Sequence, residues 1–190
     1  MIYQHKLYCI GLLEEFSRQG LIELFYADES HFSQDAPVPY GWQFKDEAVF
    51  MPSSRGKRLN CFAGISRNNN SFFSVTEAGI DSSFIASQLD HLSRQITKPT
   101  VVVLDNASVH TAATVTQRIP GWQKRELFLF YLPRYSPHLN IAETLWRILK
   151  YHWLRPDDYF SFEKLRYSLC QALANLGHEL CINFSDFSLN

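Results

Sequence analysis

Two short apolar runs in this chain each stop at an aspartate, and together they restrict the fold more than any other feature. Leu21 to Ala27 is a dense apolar stretch that ends at Asp28-Glu29-Ser30-His31, and the β-branched run Thr100-Val101-Val102-Val103-Leu104 ends at Asp105-Asn106. Runs this short read as buried strands. Between them, Asp81 is placed to cap a helix reaching Gln95, with Phe84, Ile85, Leu89, Leu92 and Ile96 along its apolar stripe. A helix joining two buried strands predicts a crossover that sets the second strand parallel to an earlier one. If strand 21–27 is that neighbour, Asp28 and Asp105 lie side by side at the carboxyl ends of the strands, where open α/β sheets bind their ligands.

The remaining elements fit the same sheet. Residues 59–66 and 71–76 read as strands joined by a turn at Arg67-Asn68-Asn69-Asn70, and 127–131 as a further strand. Residues 6–19 predict a helix ended by Gly20, and 111–118 a short helix closed by Pro120-Gly121. Asn140 is the expected N-cap of a helix running to about Leu154, and Ser161 that of a last helix carrying Phe162, Leu165, Leu169, Leu173 and Leu176. The turn-rich stretch 33–58 predicts loops with one short strand near Ala48-Val49-Phe50. The sum is an α/β fold, a mixed five-stranded sheet flanked by helices on both faces.

Composition narrows the function classes. With 190 residues the chain fits one domain. No apolar stretch approaches the roughly 18 residues of a membrane span, and no secretory signal follows the N-terminal residues. Cys9, Cys61, Cys170 and Cys181 are scattered without a Cys-x-x-Cys pair, so they are expected to be reduced packing residues of a cytoplasmic protein and not a zinc site. The net charge of -1 counts against a surface that binds nucleic acid everywhere, but it allows a local basic groove beside an acidic, metal-filled site.

The candidate chemistry lies in three acids. Asp28 and Asp105 follow apolar strands, and Glu143 sits in the first turn of the helix after Asn140, where the helix dipole favours negative charge. Carboxylate oxygens suit magnesium or manganese, and two such ions about 3.5–4 Å apart can activate an attacking oxygen and stabilise a leaving one. Singly, each acid also fits ordinary turn or capping chemistry, and on position alone Glu29 competes with Asp28. Around them, His110 is a candidate to touch phosphate or orient a water, and equally a hydrogen-bonding structural histidine; Asn106 could support a metal ligand from behind or simply form the turn. Arg58, with Arg55 and Lys57, could grip a DNA backbone or form a solvated loop. Arg147 and Lys150 share a helix face with Glu143, where they could meet phosphate, and Arg147 could instead pair with Glu143. Trp146 reads as packing, and Tyr135, Ser136 and Pro137 as residues that fix the loop before Asn140.

Three blocks, FYADESHF (25–32), VVVLDNASVH (101–110) and LPRYSPHLNIAETLW (132–146), together resemble the DDE transposases of the mariner superfamily, in its bacterial insertion-sequence branch. The resemblance spans roughly residues 21–155, and it departs from the usual motif at Arg134 and Ile141. It implies a ribonuclease H-like fold, with the catalytic, metal-binding acids at Asp28, Asp105 and Glu143, so that Asp28 takes precedence over Glu29. It further implies two magnesium or manganese ions, a metal-activated water that hydrolyses a phosphodiester at a transposon end, and direct attack of the freed 3′-hydroxyl on target DNA. The expected partners are double-stranded DNA and a second copy in the active assembly. Only about 20 residues precede the first strand, so residues 1–20 are expected to be a helix or remnant linker and 21–190 the catalytic domain, without an end-recognition module. Another ribonuclease H-like metal nuclease, or an inactive DNA-binding remnant, are the competing readings.

Overall fold

The computed structural model describes residues 2–34, 57–185 and 187, so the strand expected near 48–50 and Arg55 of the basic run lie outside the described residues. Five strands, β1 (Glu23–Ser33), β2 (Arg58–Ile65), β3 (Ser71–Thr76), β4 (Thr100–Leu104) and β5 (Leu127–Tyr131), form one sheet in the order β3-β2-β1-β4-β5. β2 runs antiparallel to both β3 and β1, whereas β1, β4 and β5 are parallel to one another. The crossover between β1 and β4 is therefore the expected one. Its helix, α2 (Ser82–Leu92), is capped by Asp81, whose carboxylate accepts the Phe84 N–H at 2.7 Å; it ends at Leu92 and not at Gln95.

β1 departs from the expectation that it stops at Ala27. Its parallel ladder with β4 ends at Tyr26↔Val103, but its antiparallel ladder with β2 continues through Asp28↔Ala63 to Ser33↔Arg58. Asp28 is thus mid-strand, just beyond the point where β4 leaves the sheet. The apolar run marks only the part of β1 with a strand on both sides.

Strand alternation sorts β1 onto two faces. Phe25 and Ala27 pack with Val102, Leu104, Ile85, Leu89 and Trp122 under α2, α4 (Ala113–Thr116) and α5 (Ile119–Gln123). Leu24 and Tyr26 pack on the other face against Ile10, and Phe32 against Trp146, Leu165 and Leu169 of the C-terminal helices. The expected helix at 111–118 is instead a chain of short turns, α3 (Ser108–Thr111), α4 and α5. It breaks where Ala112 is extended (ψ 153°) and restarts with Pro120 in the first turn of α5. Gly64 in β2 lies against Phe72, and an added Cβ would collide with that ring, which packs edge-on against Phe25 and Phe62.

The N-terminal helix α1 (Ile2–Arg18) begins earlier than expected and ends as expected at Gly20, which adopts φ 75° while Leu21 N–H donates to Phe16 C=O at 3.0 Å. It is tied into the sheet by buried Ile10, by the Tyr26 hydroxyl donating to Glu14 at 2.5 Å, and by Arg67 donating to the same oxygen at 2.8 Å. Lys6 donates to the carbonyls of Tyr131 (2.6 Å) and Leu132 (3.1 Å), anchoring the end of β5 where the loop towards Glu143 begins. Among the described residues no helix is long and apolar enough to cross a membrane.

Candidate active site

Glu143 is carried by α6 (Ala142–Ile148), and Asn140 ties that helix to β1. The Asn140 side chain is 5% exposed, its Nδ2 donates to Ala27 C=O at 3.1 Å and its Oδ1 accepts the Ala142 N–H at 3.1 Å. It therefore caps the helix as expected while gripping the residue before Asp28. Replacing Asn140 with alanine removes both bonds from a buried position and is expected to lower stability by about 2 kcal/mol, read as a drop in the denaturation midpoint at unchanged slope. Beyond Ile148 the helix continues as a single π turn, Leu149–Trp153, and does not stay α-helical to Leu154.

Alternation along β1 separates the two competing acids. Asp28 shares the face of Leu24, Tyr26 and Phe32, on which α6 packs, and Glu29 shares the face of Phe25 and Ala27. Trp146 Nε1 donates to Asp28 Oδ2 at 3.1 Å, so this tryptophan both fills the core beside Phe32 and holds the carboxylate. Composition and helical spacing give no sign of that second role. Burial pushes the Asp28 carboxyl up to about 7; a bond from the Glu29 backbone N–H pulls the other way, while the charges of Glu29, Glu143 and Asp105 add to the rise. Trp146→Phe keeps the packing and loses the donor; it is expected to reduce any activity that depends on Asp28 about ten-fold with little change in melting temperature, as measured by paired activity and thermal scans.

Asp105 begins the turn after β4. Its Oδ1 accepts the Ala107 N–H at 2.9 Å and lies 2.7 Å from His110 Nδ1, and His110 Nε2 lies 2.8 Å from Glu29 Oε1. His110 is fully buried and bridges Glu29 of β1 to Asp105 at the end of β4, so it does not face a phosphate and matches the alternative of a hydrogen-bonding structural histidine. The His110 bond holds the Asp105 carboxyl below its usual range. Burial alone would lower the His110 pKa, but the bonds to Asp105 and Glu29 outweigh it and raise it to about 9.

Lys150, on the π turn, lies 5.2 Å over the Phe32 ring; burial lowers its pKa, and the nearby charges of Glu143 and Asp28 oppose that. Its ammonium thus lies within electrostatic reach of two of the candidate acids. Glu143 itself is exposed, and it makes no ion pair among the described residues, so the expected alternative pairing with Arg147 is absent there. Arg147 is exposed and lines, with Glu143, Pro137 and His138, a groove of about 600 Å³.

A second groove of about 500 Å³ runs beside Asp105, lined by Asn106, Ala107 and the loop from Leu132 to Pro137. Asn106 is a loop staple, its amide donating to Leu132 C=O at 2.5 Å, in line with the turn role. Within the loop, Ser136 is buried and bonds Arg134 C=O at 3.3 Å, whereas Tyr135 is 97% exposed with φ 57°. Tyr135 therefore shapes the loop through its left-handed backbone and not by packing its ring. Arg58 is not brought to the acids: it pairs with Ser33, five positions along β1 from Asp28, which is roughly 16 Å of strand.

Among the described residues no three carboxylate, thiol or imidazole groups already stand at metal-ligating distances from one another. The donor set nevertheless fits a hard divalent cation. Asp28, Asp105 and Glu143 offer only oxygens; burial raises the Asp28 carboxyl first, and the charges of Glu29, Glu143 and Asp105 add to the rise, a repulsion that a cation would relieve.

No curated protein sequence matches the chain significantly. Solved structures do match its fold. The paired-end complex of Mos1 transposase with the left transposon end is 17% identical, with a TM-score of 0.62, over 90% of this chain and 54% of that one. The catalytic domain of Mos1 mariner transposase is 16% identical, with a TM-score of 0.55, over 90% of this chain and 79% of that one. The catalytic core domain of BIV integrase is 13% identical, with a TM-score of 0.54, over 83% of this chain and 85% of that one. The fold is accordingly ribonuclease H-like, as the sequence motifs implied, and the chain spans about half the length of the Mos1 chains in the complexes it matches. The family model described as DDE superfamily endonuclease matches residues 23–166, most of the chain, and this protein belongs to that family.

Proposed function

We propose that this chain is the catalytic part of a DNA transposase, with Asp28, Asp105 and Glu143 as its catalytic acids and as ligands for magnesium or manganese, two ions in the complete site. When bound, such ions supply Lewis-acid charge to the attacking and leaving oxygens of a phosphodiester. The observation that carries the reading is the meeting of three elements at one place. β1, β4 and α6 each bring an acid to the sheet where β4 ends, and Asn140 and Trp146 hold α6 to β1 around Asp28.

The chain's own residues then have distinct tasks. Trp146 orients Asp28 on the α6 face, and Asp105 opens onto the groove formed with the Leu132–Pro137 loop. Lys150 and Arg147, on the helix of Glu143, supply positive charge to phosphates entering beside the acids. In the first reaction water displaces a 3′ oxygen from phosphorus, leaving a 5′-phosphate and a free 3′-hydroxyl. In the second that hydroxyl attacks a target phosphodiester, displacing another 3′ oxygen, and no protein–DNA bond forms. Transposon ends and target DNA are the substrates. A second copy of the chain completes the assembly, which acts in the cytoplasm. The similarity to a Mos1 complex carrying a transposon end supports this choice among nucleases of the same fold.

The test is cleavage of end-labelled duplex DNA with magnesium, manganese or chelator. Metal-dependent nicking that leaves 3′-hydroxyl ends is expected; nicking that persists in chelator would overturn the reading.

A further inference from the structure

The bridge from Glu29 through His110 to Asp105 crosses the end of the sheet and lies apart from the acids' own face. Glu29 points to the α2 side of β1, opposite Asp28, and is 23% exposed, yet its carboxylate is joined to Asp105 by one buried imidazole. Both ring nitrogens are committed, and the backbone of α3 is held as well, since the Tyr131 hydroxyl donates to His110 C=O at 2.9 Å. Asp105 Oδ1 takes bonds from both His110 and the Ala107 N–H, while Oδ2 has no bond among the described residues and the side chain is half exposed to the groove. A carboxylate held this way has one oxygen withheld and one presented.

We propose that Glu29 and His110 are positioning residues that fix the rotamer of Asp105, so that Oδ2 alone is offered to a divalent cation. The inference rests on the reading of Asp105 as a metal ligand. Groups that orient metal ligands from behind restrict which geometries the ligand can adopt, and losing them commonly weakens metal binding ten-fold or more. Glu29 therefore belongs to the site without touching the metal. This accounts for two adjacent acids on β1 that strand alternation sends to opposite faces.

The experiment is a manganese titration of the DNA-free protein, with free ion followed by electron paramagnetic resonance, on wild type and on Asp105→Asn, Glu29→Ala and Glu29→Gln. Glu29→Ala leaves His110 Nε2 unpartnered and should weaken manganese binding about ten-fold. Glu29→Gln restores an acceptor and should recover affinity to within about three-fold of wild type. A merely structural role would lower the melting temperature of Glu29→Ala without changing the affinity of its folded fraction. Should alanine prevent folding, Glu29→Thr keeps a strand-favouring residue and also removes the carboxylate, its hydroxyl being too short to replace Oε1 beside Nε2. If Asp105→Asn loses manganese while folded Glu29→Ala or Glu29→Thr binds like wild type, the positioning role is overturned and the Asp105 assignment stands. If wild type shows no saturable binding, both are overturned.

Discussion

Asp105→Asn is expected to abolish DNA cleavage and strand joining together, by about 10³-fold or more, in a protein that remains folded. Asparagine keeps the shape of the side chain, and its Oδ1 can still accept from Ala107 and His110, whose positions are set by the α3 turn. It cannot offer a charged oxygen to a cation. Losing several kcal/mol of charge stabilisation in the transition state corresponds to that factor, at about 1.4 kcal/mol per ten-fold. The structural cost is small, because Asp105 is half exposed and only a charge-assisted bond becomes a neutral one. Glu143→Gln should behave alike, since Glu143 is exposed and makes no ion pair among the described residues. Rates on labelled DNA beside thermal melts check both variants.

The second large effect has the opposite sign, on stability. Asp28→Asn should stabilise the metal-free protein at pH 8 while destroying its activity. The folded carboxyl titrates at about 7 against an ordinary 3.8, because it is buried among other acids. Between those values the folded state keeps a proton that the unfolded chain has shed, so stability falls as the pH rises through this window. Above pH 7 the whole penalty is present, on the order of 2–4 kcal/mol. Asparagine has no charge to bury and can still accept the Trp146 N–H through its amide oxygen. The variant should therefore melt about 5 °C above wild type at pH 8 and level with it near pH 4. His110 adds a slope of its own that both proteins share: with its pKa raised to about 9 from 6.5, its stabilisation is complete below pH 6.5 and is lost as the pH rises through 9. Millimolar manganese should reverse the order, raising the wild-type melting point and leaving the variant unmoved. A wild type that melts no lower than the variant at pH 8 in chelator would contradict the crowded-acid account.

Much of this architecture was legible because burial writes itself into composition. The apolar runs 21–27 and 100–104, and the caps at Asp81, Asn140 and Ser161, placed the parallel pair and the helices around it. What escaped were features set by tertiary partners. β1 runs on through Asp28-Glu29-Ser30-His31 because β2 supplies a ladder there, and no local propensity records it. The π turn at Leu149–Trp153, which carries Lys150, looks in sequence like more α-helix. The added role of Trp146 and the two partners of His110 depend on which polar atom lies within reach of a buried ring. Apolar periodicity identifies a buried ring but not its hydrogen-bond partner. For Tyr135 the motif suggested a loop-fixing residue but not its means, a left-handed backbone with the ring in solvent.

The claim that the three acids serve both cutting and joining is tested most directly with DNA already cut at one strand. A labelled duplex ending in a 3′-hydroxyl is incubated with the protein, manganese and unlabelled target plasmid, beside the same duplex ending in a 3′-deoxy sugar. The account predicts label joined to plasmid from the hydroxyl end alone, and none from either end with Asp105→Asn. Metal-dependent nicking of the plasmid without any joined label would show a nuclease that hydrolyses but does not transfer, and would contradict it.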